Sequence, residues 1–119
     1  MESNPFSPNP PNISQMLDQL WLKFRPQIEE RVAVLQQAAA ALAQGNLSPA
    51  LRAEAHSAAH KLAGSLGTFG LDHGTALARE AETIYQGNPR PESAVRLVEI
   101  VASLGAAIVS RDAAAGQTQ

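Results

Sequence analysis

Histidine is the side chain best placed to do chemistry in this sequence, which has three histidines and no cysteine. Thiolate catalysis, sulfur ligation of metals and a disulfide framework are therefore closed to it. His56 and His60 stand one helical turn apart, and Gly64 and Gly67 follow His60 at four and seven residues. Two imidazoles at that spacing can share a metal ion. A third ligand is not evident, because His73 falls beyond the turn that ends this segment, so neither metal nor cofactor is expected. The other chemistry open to a neutral imidazole is nucleophilic attack. Free imidazole titrates at about pH 6.5, so the unprotonated form is plentiful near neutrality without special tuning.

An imidazole that attacks a phosphoryl group held on another protein must protrude, and the partner's backbone must come close with the reacting atoms roughly in line. Advancing about 100° per residue from Ser48 places Leu51, Ala55, Ala58, Leu62 and Leu66 on one arc, with Phe69 continuing it. His60 lies on the opposite side together with His56, Gly64 and Gly67. Ser57 and Ala63 flank it at three residues, Lys61 is the nearest cation in sequence, and Ser65 follows Gly64. Glycine inside a helix costs about 1 kcal/mol relative to alanine, so bare backbone at Gly64 is a feature that needs a reason. Close approach of a partner is one.

The elements that must carry these residues are helical. The chain has 119 residues, 45% of them hydrophobic but only 4% aromatic, with alanine and leucine prominent. That length suits one domain with its own core. That composition favours closely packed helices over sheets. Residues 1–12 contain four prolines and three asparagines and read as a disordered arm. From Ile13 an apolar stripe recurs at three- and four-residue steps through Leu42. Pro26 within it predicts a break or kink at Arg25, giving a short helix and then a long one. Gly45-Asn46 ends the long helix, and Ser48-Pro49 opens the next with a capping hydroxyl before proline. That helix ends in the segment Gly67 to Gly70. Asp72 can cap a further helix to about Gln86, and after the breakers Gly87 to Pro91 a last helix carries Val95, Leu97, Val98, Val101, Leu104, Ile108 and Val109. The expected fold is all-α, an antiparallel up-and-down four-helix bundle over residues 13–112 with a short additional N-terminal helix. Residues 113–119 read as a flexible tail or linker.

Charge and hydropathy restrict the partners. Nine basic and eleven acidic residues give a net charge of −2 with no basic stripe, which argues against nucleic acid. The first residues lack the basic and apolar regions of a signal peptide, and no later stretch is expected to approach a bilayer-spanning run. A cytoplasmic monomer is the expectation. The chain has no glycine box or Walker-type loop for a nucleotide.

The segment Ala59 to Leu71, AHKLAGSLGTFGL, resembles the signature of histidine-containing phosphotransfer domains. In that signature a histidine is followed by leucine at the second position, a basic residue at the third, glycine at the fourth and serine at the fifth. His60, Leu62, Gly64 and Ser65 match in register, followed by Phe69 and Gly70 and then by Leu77 and Glu82. The basic third position is Ala63 here, with Lys61 as the neighbouring charge, and Gly74 stands where the family tends to have leucine. The resemblance implies a phosphocarrier that is not itself an enzyme. It would accept a phosphoryl group on His60 and exchange it with the aspartate of a response-regulator receiver domain, or take it from a histidine kinase. The receiver would supply the acidic pocket and Mg²⁺. Around His60 the implied surroundings are Lys61, Ala63, Gly64, Ser65, Ser57 and His56, with Gly64 and Gly67 as docking positions. Ala63 motivates the alternative of a docking bundle that keeps the fold without carrying phosphate.

Overall fold

A computed structural model describes residues 12–116. They form four α-helices, α1 (Ile13–Ala43), α2 (Pro49–Thr68), α3 (Asp72–Gln86) and α4 (Ala94–Gly116), with a single 3-10 turn at Pro91–Ser93 leading into α4. No strand occurs among the described residues. Helix α1 packs on α2 and α4, and α3 packs on the same two, so the four share one core. Its largest fully buried side chains include Trp21, Ile28, Leu35, Leu62, Leu66, Tyr85, Ile100 and Leu104.

The helix ends follow local chemistry. Asn12 caps α1 by accepting from the Gln15 amide at 2.8 Å, and Ser48 caps α2 by accepting from the Leu51 amide at 3.1 Å. Such caps satisfy amides that have no partner within the helix. At the end of α2, Gly70 takes φ +70°, and the Leu71 amide returns to the Leu66 carbonyl at 3.0 Å. Only glycine adopts that conformation without cost, which makes this turn sharp enough to lay α3 back along α2.

Four expectations are corrected. Helix α1 is one element, so there is no separate short N-terminal helix and Pro26 does not interrupt it. Proline removes one amide and crowds the carbonyl four residues back, but Pro26 and Leu22 both face solvent, while Trp21 and Ile28 on either side are fully buried. Tertiary anchoring on both flanks outweighs the local defect. The cap of α3 is Leu71, without a side-chain hydrogen bond, and Asp72 is the first helical residue, where its charge suits the positive end of the helix dipole. Helix α4 continues past Asp112 to Gly116, and Ala115 is buried, so the expected tail does not begin at Ala113. Residues 1–11 and 117–119, which hold most of the expected arm and the rest of the tail, lie outside the described residues. Finally, the segment Pro91–Gly116 is long and apolar enough to cross a bilayer by length and composition, contrary to the reading of the sequence. Leu97, Ile100, Leu104 and Ile108 from this segment are buried in the core, and Val95, Val98 and Val109 are exposed.

One end of the molecule is closed by a polar cluster over aromatic rings. Trp21 meets Phe69 edge to face at 5.2 Å between centroids. Its indole Nε1 donates to Asp112 at 2.6 Å, and Asp112 also accepts from Arg25 at 2.8 Å. Arg111 pairs with the buried Asp18 at 2.7 Å and lies 5.6 Å from the Trp21 ring centroid. These contacts fasten the start of α1 to the end of α4.

Gly74 is buried, and a Cβ there would meet Leu66 Cδ1 at 3.1 Å, so Leu66 and Leu104 occupy the volume that a larger residue would need. Tyr85, the sole tyrosine, is fully buried, and among the described residues its phenol oxygen has no hydrogen-bond partner. Burial pushes its pKa up to about 12. Because the folded value lies above that of the free phenol, at about 10, the associated stability is intact below pH 10 and drains away as pH rises toward 12. Absorbance at 295 nm during alkaline titration should therefore show no tyrosinate near pH 10 in the folded chain. A simple transition at pH 10 with helical circular dichroism retained would contradict the burial.

Candidate functional site

Helix α2 carries the central residues. Ala55, Ala58, Ala59, Leu62, Ala63 and Leu66 are buried along its inner face, and His60 points outward with its side chain 69% exposed. The imidazole is nonetheless held. Its Nδ1 lies 2.9 Å from Oε2 of Glu82 on α3, and the Glu82 side chain is only 20% exposed. An ionised carboxylate only accepts, so this contact calls for a proton on Nδ1, which in the neutral ring leaves the lone pair on Nε2, the atom farther along the ring. His56 Nε2 lies 3.9 Å from the same Glu82 oxygen, within ion-pair reach when His56 is protonated.

This contact depends on the register of α3 against α2, and that register is fixed on both sides of it. Toward the start of α2, Arg52 Nη1 donates to the carbonyls of Tyr85 and Gly87 at 2.8 and 3.0 Å, satisfying the open end of α3. Toward the end of α2, the Thr75 hydroxyl donates to the Ala63 carbonyl at 3.4 Å. Glu82 is thus delivered to His60 by two helices whose sliding is blocked.

The surroundings differ on the two flanks. Gly64 is exposed, and a Cβ there would meet nothing within 4 Å. The bare position therefore serves no packing within the chain. Gly67 is exposed too, and a Cβ there would lie in ordinary contact with the Thr75 hydroxyl at 3.6 Å. Ser57 and Lys61 are exposed on the flank facing α1. Ser65 is half-buried and accepts from Arg31 Nη1 of α1 at 3.2 Å.

Ala63 is corrected as a member of this surface. It is 2% exposed, with its methyl group in the core. The arc buried by α2 is wider than the stripe from Leu51 to Leu66, because α3 covers the flank that holds Ala59 and Ala63.

Two residues of the site escaped the sequence reading. Glu82 was visible as an acidic residue in the family pattern, but nothing in helical periodicity joins it to a histidine 22 residues away. Arg31 carries no sequence signal, since it looks like any charged residue on a long amphipathic helix. Among the described residues, no group of three His, Asp or Glu side chains is arranged to hold a metal ion.

Residues 19–112 match the family described as Hpt domain. The chain belongs to this family of histidine phosphotransfer modules, which serve two-component phosphorelays as phosphocarriers and act with histidine kinases and response regulators. It is also similar to Protein RcaC of Microchaete diplosiphon, with 33% identity over 90 residues, which is 74% of this chain and 14% of that protein. The chain thus spans about one seventh of the length of this relative. No solved structure matches.

The Glu82 contact makes the tautomer of His60 a measurable quantity. Nitrogen-15 chemical shifts of the wild-type ring should report Nδ1 as protonated and Nε2 as bare. Glu82→Ala should shift the ring toward the opposite tautomer, the commoner one in free imidazoles. Identical shifts in the two proteins would show that the carboxylate does not hold the ring.

Proposed function

We propose that this chain is a phosphocarrier that accepts a phosphoryl group on His60 Nε2 from the aspartyl phosphate of a receiver domain and can return it to such an aspartate. The observation that carries the reading is the His60–Glu82 pair beside Gly64: an exposed imidazole whose hidden nitrogen is held by a sheltered carboxylate, next to backbone that nothing covers. In the forward step the Nε2 lone pair forms a bond to phosphorus as the bond from phosphorus to the aspartyl oxygen breaks, and that electron pair leaves on the receiver's carboxylate. The ring keeps its Nδ1 proton and becomes cationic. Glu82 then serves twice, fixing the tautomer beforehand and stabilising the positive charge that develops, the role a carboxylate plays behind other nucleophilic or basic imidazoles. The chemistry of the acidic pocket and its Mg²⁺ belongs to the receiver. The carrier supplies position.

In this reading the helices form an antiparallel up-and-down bundle, consistent with the short connections Gln44–Ser48 and Phe69–Leu71. The carrier works as a cytoplasmic monomer, with residues 13–116 as its domain. Ala63 does not favour the inactive alternative. Its methyl group is in the core, and Lys61 remains on the exposed flank.

Incubation with a phosphorylated receiver should place acid-labile, base-stable phosphate on the wild type and none on His60→Gln. Label that persists on His60→Gln would assign the wrong residue. Gly64 gives a second, sharper expectation. Gly64→Ala should raise folding stability by up to about 1 kcal/mol in urea unfolding, because the added methyl meets open space. The same substitution should slow transfer from the receiver. A variant that is more stable and equally fast would remove close approach as the reason for that glycine.

A further inference from the structure

Four of the nine basic residues are occupied within the fold. Arg25 is bound to Asp112 and Glu29, Arg96 to Glu80 and Glu99, and Arg111 to Asp18, while Arg52 is spent on the end of α3. Lys23, Arg79 and Arg90 also lack an ion pair among the described residues, but Arg31 and Lys61 are the two basic residues that line the surface beside Gly64. Among the described residues neither has a carboxylate within ion-pair distance, yet the two lie side by side in one open groove between α1 and α2.

That groove is electrically lopsided. Its half beside Gly64 is lined by Arg31, Lys61, Ser65, Phe24 and Phe69, among others, and contains no carboxylate. The half farther along holds Glu30 and Glu54 as well. The hydrogen bond from Arg31 to Ser65, at 3.2 Å, keeps the guanidinium at the Gly64 end. Phe24 at the same end is 39% exposed and offers an apolar contact. On the opposite flank His60 is bound to the carboxylate of Glu82, which repels acid, although the exposed Arg79 stands one turn before it on α3.

We propose that Arg31 is a partner-recognition residue. Together with Lys61 it receives the acidic rim of the receiver domain bearing the aspartyl phosphate, so that the partner seats over Gly64 and reaches His60 from the α1 side rather than the α3 side. This inference rests on the phosphocarrier reading above. The occupant follows from charge complementarity, because two unneutralised cations beside a bare nucleophile site fit a surface carrying both carboxylates and a phosphate. Arg31 touches neither the phosphoryl group nor the ring. It sets encounter and orientation, while His60 performs the transfer.

The test measures the initial rate of label transfer from a phosphorylated receiver, below saturation, to the full chain and its charge variants. Arg31→Glu should be slower by about tenfold at low salt, with the difference shrinking at about 0.5 M salt as the charges are screened. Arg31→Lys should recover most of the rate. Arg90→Glu, the same change of net charge on an exposed loop, should match wild type. Lys61→Glu, at an exposed position where folding is not at stake, should repeat the salt-dependent loss. Circular dichroism and Trp21 fluorescence establish that each variant is folded. A folded Arg31→Glu that transfers at the wild-type rate overturns the inference, as does a loss that salt does not diminish or that Arg90→Glu reproduces. In each of these cases the wild type still takes label, so the phosphocarrier reading stands. A wild type that takes no label overturns both.

Discussion

A nucleophile on a carrier has to meet contradictory demands: it must stand in water where another protein can reach it, and it must be held in one orientation and one tautomer. In the proposed carrier the hydrogen bond from His60 Nδ1 to Glu82 would meet both, because it holds the ring by one nitrogen and leaves Nε2 open. Its strength comes from unequal exposure. The imidazole is open, whereas the carboxylate is mostly sheltered between helices, where a charge-assisted bond is worth more than in free solvent. Nothing on α2 alone could provide this. It is α3 that supplies the sheltered carboxylate.

The larger architecture can be understood as what is required to bring Glu82 to that place. Gly70 turns the chain sharply enough for α3 to return along α2, and Arg52 and Thr75 stop the two helices from sliding. Their interface is lined with alanines such as Ala55, Ala59, Ala63, Ala78 and Ala81, small side chains that let the helix axes approach closely. Helices α1 and α4 complete the core from the far side. Helix α1 also contributes Arg31, so the two sides of His60 belong to different helix pairs.

Much of this was legible in the sequence, and the parts that were not share a cause. The order of helices, the caps at Ser48 and the ends near Gly45 and Gly70, the exposure of His60 and the inward face from Ala55 to Phe69 all follow from local chemistry and helical period, which act over a few residues. Pro26 misled because the same local rules predict a break, and only burial of Trp21 and Ile28 on either side overrules them. Ala63 misled because a single helix does not reveal how wide an arc its neighbours will cover. Helix α4 looked less continuous and less apolar than it is, since the alanines near its end were read as linker and Ala115 finds a place in the core. Glu82 and Arg31 could not be joined to His60 and Ser65 from spacing, because helical periodicity says nothing about which helices become neighbours.

Two ties within the bundle span very different lengths of chain. His60 and Glu82 are separated by 22 positions, whereas the Trp21–Asp112 bond joins residues 91 apart. Closing a short loop costs less entropy and is faster than closing a long one. The α2–α3 hairpin with its paired histidine and glutamate therefore uses only successive elements, while the hydrogen bond of the indole needs both α1 and α4. The contact at His60 is a local product of two successive helices, whereas the bond that closes over Trp21 joins the first helix to the last.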